Sequence, residues 1–213
     1  MAAFPAFRPF WVPGARATLT SFMDRATVAI YDEVAGDWQK SRGDANDDLG
    51  RVCREQVGEG LVIDLGCGPG RYLGQIAAPV IGLDVSGSML GLAQDQGHPL
   101  VQADLEALPF GDNAFAGAFA RHSYLHLSKV QAAGALTELS RVLRPGGRLV
   151  LTVIEGTYEG HDLPGDDYPG RYYAFWTGHD LEAALRVAGF TEVGVSIVPR
   201  RKGGTDLVAS ARV

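Results

Sequence analysis

A doubly wound α/β fold, built on one mostly parallel sheet, is predicted for this chain by three observations. From residue 61 onward, short apolar runs alternate with helix-like stretches, the pattern of right-handed crossovers that place helices on both faces of a sheet. The first run, Leu61 to Leu65, contains Asp64 and passes directly into Gly66-Cys67-Gly68-Pro69-Gly70. The last two runs, Val193 to Val198 and Asp206 to Val213, are joined too closely for a helical crossover, so they pair antiparallel at the edge of the sheet.

The elements follow in order. Strands are expected near 61–65, 80–84, 99–103, 115–121 and 147–154, each short, apolar and partly β-branched as buried parallel strands are. Helices are expected near 70–78, 87–95, 129–143 and 178–188. Ser86 and Ser88 are good caps before Met89 and Leu90. Ser128 caps the third helix, whose apolar face is Leu136, Leu139, Val142 and Leu143. Thr177-Gly178-His179-Asp180 resembles a capping box before Leu181, and Gly189 stops the fourth helix. Residues 1–56 precede this alternation and are read as a helical lid. Residues 57–154 form the ligand-binding core, 155–177 an insertion over the site, and 178–213 the last helix and hairpin of a single domain.

Composition bounds the function. With 213 residues, 46% hydrophobic and 21% charged, the chain has apolar content for one sizeable core. Met1 to Gly14 holds prolines and aromatics without a basic start and continuous apolar run, so neither a secretory signal nor a membrane anchor is expected, and the cytoplasm is. The formal charge of -6 disfavours long-range attraction to nucleic acid or anionic membrane. Arg200-Arg201-Lys202 beside Gly203-Gly204 is read as a solvated hairpin turn. Cys53 and Cys67 lie in different elements and are expected as reduced thiols; no Cys/His spacing suggests a metal.

The glycine turn points to a nucleotide-shaped ligand. Glycines at 66, 68 and 70 remove side chains that would hold a ligand away from the backbone. A dinucleotide fingerprint needs its third glycine at position 71, which is arginine, so a nicotinamide enzyme is disfavoured. Val80 to Asp84 is a second strand ending in an acid, which can take both ribose hydroxyls; each bond to a charged group contributes roughly 1.5–3 kcal/mol. Asp84 can also be read simply as an acid at a helix start.

Together with Asp64, the Gly66-x-Gly68-x-Gly70 spacing resembles motif I of the class I S-adenosylmethionine-dependent methyltransferases. Asp104-Leu105-Glu106-Ala107-Leu108-Pro109-Phe110 is similar to that family's "D-x-x-x-L-P-F" segment. Leu139 to Leu149 is similar to its "L-x-R-V-L-R-P-G-G-x-L" block, and Tyr31 to Trp38 to its lid segment. The resemblance is strong over 61–154 and loose on the flanks. It implies a Rossmann-like, seven-stranded sheet with S-adenosylmethionine as cofactor and S-adenosylhomocysteine as product. By resemblance Asp104 faces the adenine amino group and the Leu105 amide serves the ring. The residues expected around the cofactor are Asp64, Gly66, Cys67, Gly68, Gly70, Asp84, Val85, Met89, Asp104, Leu105, Arg121 and Tyr31. Tyr31 either covers the methionine end or is a core aromatic.

Methyl transfer needs an oriented, unprotonated nucleophile, and candidate bases cluster in Arg121-His122-Ser123-Tyr124-Leu125-His126-Leu127. His126, His122 and Tyr124 are the catalytic candidates, with packing beneath the next helix as the alternative for His126. Where the family usually has an acid after Phe115, this chain has Ala116. Residues 155–177, too aromatic for a plain linker, supply the expected acceptor wall: Tyr168, Tyr172, Tyr173, Phe175 and Trp176. Those aromatics could equally just cover the sheet. The expected partner is a small organic acceptor methylated at oxygen, nitrogen or carbon. A tRNA or protein acceptor and a non-catalytic cofactor-binding domain are the competing readings; oligomeric state is not legible.

Overall fold

A computed structural model describes residues 23–42, 45, 47–77, 79–200 and 203–213. The expectations for Met1 to Gly14, for Ala78 and for Arg201 and Lys202 lie outside the described residues. Seven strands form the main sheet in the order β3-β2-β1-β4-β5-β9-β8. These are β1 (Val62–Leu65), β2 (Val80–Asp84), β3 (Leu100–Gln102), β4 (Phe115–Arg121), β5 (Leu143–Ile154), β8 (Thr191–Pro199) and β9 (Thr205–Arg212). β1 pairs parallel with β2 and β4, and β3 and β5 extend the parallel array outward. β9 pairs antiparallel with both β5 and β8. Both sheet faces are covered, so Ile63, Leu65, Leu83, Phe119 and Leu151 are fully buried. Ligands in such sheets bind beyond the carboxyl ends of the strands, where the order reverses; here that is the gap between β1 and β4.

The helices are α1 (Arg25–Arg42), α2 (Leu49–Val57), α3 (Leu73–Ile76), α4 (Gly87–Ala93), α5 (Lys129–Val142) and α6 (Gly178–Val187). Ser86 accepts from Met89 N and caps α4, whose expected last residues become a separate turn at Gln94–Gln96. Ser128 and Gln131 form a reciprocal capping box on α5. Thr177 caps α6 through Asp180 N, and Gly189 follows it at φ 95°. Arg200 N bonds Gly204 O at 3.0 Å, closing the β8–β9 turn.

Four expectations change. The helix expected from residue 70 begins at Leu73, because Gly66, Gly68 and Gly70 all take positive φ (71°, 55° and 80°) and prolong the turn. β5 begins at Leu143 instead of 147, since Leu143 pairs with Phe115 before a register shift. The insertion carries its own small hairpin, β6 (Glu159–Gly160) with β7 (Tyr173–Ala174). α2, assigned to the lid, belongs to the core layer. Arg54 donates to five backbone carbonyls, those of Gly58, Gly60, Ile76, Ala77 and Pro79, and Cys53 Sγ lies 3.6 Å from Ala118 O.

Candidate active site

The strand exits, α1 and the insertion enclose a cavity of about 780 Å³. On its β1–β2 side, Gly66 N and Cys67 N both donate to Leu83 O, at 2.7 and 2.9 Å, tying the glycine turn to the end of β2. A Cβ on Gly66 would lie 2.3 Å from Ser123 Cβ, so the exit of β4 packs directly on the turn. At Gly68 a Cβ would meet nothing within 4 Å: this is the face the backbone leaves open to the cavity. Asp84 braces it, accepting from Gly68 N at 2.8 Å and from Ser86 N at 2.9 Å.

Burial dominates the electrostatics here. Asp84 is pushed up to about 6 by burial against its backbone hydrogen bonds. Asp64 is pushed up to about 8 by burial and then by the charge of Asp84. Asp64 is 2% exposed and lines the cavity, yet its carboxylate makes no side-chain hydrogen bond among the described residues. A buried acid facing a cavity without a protein donor fits a ligand that brings a cation or N–H donors. S-adenosylmethionine, with its ammonium and sulfonium, meets that requirement. Val85, Met89 and Leu105 complete this half of the wall.

Two expected cofactor residues sit differently. Asp104 Oδ2 accepts Met23 N at 3.1 Å and Oδ1 accepts Glu106 N at 3.0 Å, so here its carboxylate serves the segment before α1 rather than the cavity. Gly70 lies behind the turn, where a Cβ would press on Gln96, Leu73 and Ala93.

The other half joins the lid to the insertion. His126 is 5% exposed; its Nδ1 lies 2.7 Å from Tyr172 O, and its Nε2 2.7 Å from Tyr31 Oη. A carbonyl only accepts, so Nδ1 carries the proton and Nε2 accepts from the Tyr31 hydroxyl. Arg171 Nη1 donates to the same Tyr31 oxygen at 2.9 Å, and its guanidinium lies 5.1 Å from the Tyr31 ring centroid. Arg171 pairs with Asp166, both side chains being under 5% exposed (3% and 4%). Burial, opposed by the Tyr172 contact, pulls His126 down to about 3, so the ring stays neutral. Tyr173 and Phe175 line the same lobe. The lid is also pinned to α4: Asp32 accepts from Ser86 Oγ at 2.6 Å and from Ser88 N at 3.1 Å.

Tyr124, expected as a catalytic candidate, points away from the cavity. It is 2% exposed and its hydroxyl donates to Ala135 O on α5 at 3.3 Å, so it is a core residue. Three expected acceptor contacts also lie outside the lining. Tyr168 stacks on Arg171, Tyr172 turns its hydroxyl to Glu159 at 2.7 Å, and Trp176 is buried beneath Lys129. The exits of β4 and β5 and the start of the antiparallel β9 form the far wall. Arg121 donates to Tyr72 Oη at 2.7 Å and pairs with Asp47 at 2.7 Å, while His122 approaches Asp206. Asp47 and Asp206 had no sequence signal, because their partners Arg121 and His122 are distant in the chain; Arg171 and Asp166 pair only five residues apart, but they belong to no motif and the Tyr31 contact of Arg171 is distant.

The family follows from this geometry together with the comparisons. A methyltransferase-domain family model matches residues 63–151. An O-methyltransferase of Aspergillus nomiae, rstn1, is 32% identical over 165 residues, covering 66% of this chain and 71% of the relative. Another from Penicillium expansum, cnsE, is 33% identical over 152 residues, covering 63% of this chain. The match spans only 53% of that protein's length. The solved 1,6-didemethyltoxoflavin-N1-methyltransferase of Burkholderia thailandensis, which holds S-adenosylhomocysteine, superposes at a TM-score of 0.69 with 26% identity. That superposition covers 88% of both chains. Relatives named as tRNA methyltransferases match as well. The chain belongs to the class I S-adenosylmethionine-dependent methyltransferases.

Proposed function

We propose that this chain transfers a methyl group from S-adenosylmethionine to a small organic acceptor, at oxygen. The observation that carries the reading is one cavity of about 780 Å³ that runs from the Gly68–Asp84 cradle to the Tyr31, His126, Tyr173 and Phe175 wall. Its size is that of a small-molecule site. α1 and the insertion roof it, and the formal charge of -6 gives no broad attraction for a polyanion such as tRNA. Oxygen is favoured by the O-methyltransferases among the relatives.

When bound, the cofactor supplies an electrophilic methyl group on a sulfonium. The chain's part is to hold and orient. Asp84 and the open face of Gly68 receive the ribose side, Asp64 takes a cationic group or donor, and Val85, Met89 and Leu105 flank the base. The aromatic lobe excludes water and aligns the acceptor, and such positioning is worth roughly 7–11 kcal/mol. Ala116, the departure from the family pattern, lies at the opposite end of β4, against Gly60. It therefore gives no support to a domain that binds cofactor without turnover. Free Cys53 and Cys67 suit a reducing compartment such as the cytoplasm.

Calorimetric titration with S-adenosylhomocysteine beside NADH, followed by labelled-methyl release into phenols, enols, carboxylic acids and bulk tRNA, tests the reading. Micromolar-range binding of the first ligand alone and label in a small hydroxylated acceptor support it. Binding of NADH instead, or label only in tRNA, overturns it.

A further inference from the structure

The far wall of the cavity holds a histidine in an unusual backbone state. His122, the first residue after β4, has φ 56°, a conformation uncommon for a residue with a side chain and one that clusters at functional sites. Its N–H is held at 3.1 Å from Thr152 O and 3.2 Å from Thr152 Oγ1. The ring reaches β9, with Nε2 3.0 Å from Asp206 Oδ2.

The tautomer follows from the neighbours. Arg121 Nη1 also lies 3.2 Å from His122 Nε2, so two groups of opposite demand meet one nitrogen. A bare nitrogen lone pair at 3.0 Å from a carboxylate oxygen is repulsive, whereas an N–H there is attractive. Arg121 Nη1 has its own acceptor in Thr152 Oγ1 at 3.2 Å. Nε2 is therefore the protonated nitrogen, and Nδ1 keeps a lone pair that no group among the described residues engages. His126 has no such vacancy: its two nitrogens are committed to Tyr172 and Tyr31.

We propose that His122 takes the acceptor's proton on Nδ1 and that Asp206 is the residue that positions it for that role. The proposal rests on the methyltransferase reading above. In the step, a lone pair of the acceptor oxygen forms the new O–C bond while the C–S bond electrons return to sulfur. The hydroxyl proton passes to Nδ1, and the imidazolium so formed faces the Asp206 carboxylate. That carboxylate is 10% exposed, with Arg200 Nε at 3.2 Å and Arg121 Nη1 at 3.6 Å. Besides these, Asp47 faces Arg121 from the α1–α2 connection. Burial holds the His122 pKa below its ordinary value against the pull of Asp206, which keeps the free enzyme's ring neutral and able to accept.

The test uses the full chain, labelled with ¹⁵N-histidine and loaded with S-adenosylhomocysteine; H122Q assigns the His122 signals. At pH 7.5 the expected spectrum has His122 protonated on Nε2 and bare on Nδ1. D206A should lose that preference. D206N keeps an oxygen for Nε2–H and should keep the tautomer while lowering the His122 pKa by about one unit. A wild-type Nδ1–H tautomer, or a D206A spectrum identical to wild type, overturns the proposal. With the phenols and enols of the acceptor panel, H122Q should lose about 100-fold or more in kcat with KM little changed. D206N should fall between, its acidic limb displaced to lower pH. Turnover by H122Q within about threefold of wild type also overturns it. Both variants should bind S-adenosylhomocysteine as wild type does; failure of the wild type to bind would instead sink the methyltransferase reading.

Discussion

Asp64→Asn should make the free protein more stable and a poorer binder. Asp64 is 2% exposed near the end of β1, and its pKa rises from the ordinary 3.8 to about 8 because burial, then the charge of Asp84, disfavours the carboxylate. A carboxyl whose pKa is raised by folding is protonated more readily in the folded chain. The folded state therefore loses stability as pH climbs from about 4 to about 8. Above pH 8 the whole gap of about four pKa units counts against the fold, a ceiling of about 6 kcal/mol. Relaxation and cavity water cut this, and we expect about 2 kcal/mol, a Tm gain of about 4–8 °C for a domain of this size. The asparagine keeps the shape and removes the charge, so the gain should be largest at pH 8.5 and vanish below about pH 4. Thermal unfolding of both proteins from pH 4 to 9 measures it. Adding S-adenosylhomocysteine should stabilise the wild type more than the variant, because the carboxylate is held unpaired for a ligand. A variant that melts no higher at pH 8.5, or whose gain is the same at every pH, would refute the reasoning.

Asp84→Ala removes the acceptor for Gly68 N and Ser86 N and should weaken S-adenosylhomocysteine binding by about tenfold or more in calorimetry. Gly66→Ala should destabilise the fold itself, since its Cβ would sit 2.3 Å from Ser123 Cβ; Gly68→Ala has open space but a φ of 55°, so it should cost only the backbone strain of about 1–2 kcal/mol, stay folded and lose ligand affinity. Urea titration can check both. His126, ordinarily near 6.5 and held at about 3, contributes stability that is present above pH 6.5 and lost as pH falls toward 3. H126Q should flatten that acid limb of the urea-derived stability curve. Arg171→Met leaves the buried Asp166 without its cation and should cost about 3–5 kcal/mol, read as a lower urea midpoint at unchanged slope.

Local signals account for what was readable in the chain. Asp64 and the three alternating glycines mark a strand exit whatever surrounds them, because positive φ and close backbone approach are demands that glycine meets within a few residues. The caps at Ser86, Ser128 and Thr177 are likewise interactions spanning three residues. The helix starting at residue 70 failed for the same reason in reverse: three alternating positive-φ glycines outweighed the apolar pattern of Arg71 to Ile76.

The aromatic insertion was legible as a wall, but not which rings face inward. Tyr173 and Phe175, two residues apart, both line the cavity while Tyr172 turns out to Glu159, a choice made by the β6–β7 pairing. Tyr124 and His126 are two residues apart in one turn, yet one enters the core beneath α5 and the other meets α1. By itself the sequence determined the strand–helix alternation, the antiparallel edge and the acid-and-glycine cradle, because these depend on backbone conformation and neighbours close in the chain. Only the tertiary structure decided the distant partners, Asp206 with His122, Asp47 with Arg121 and Tyr31 with Arg171. Tyr31 and Arg171 stand 140 positions apart, and only the packing of α1 against the insertion brings them within hydrogen-bond reach.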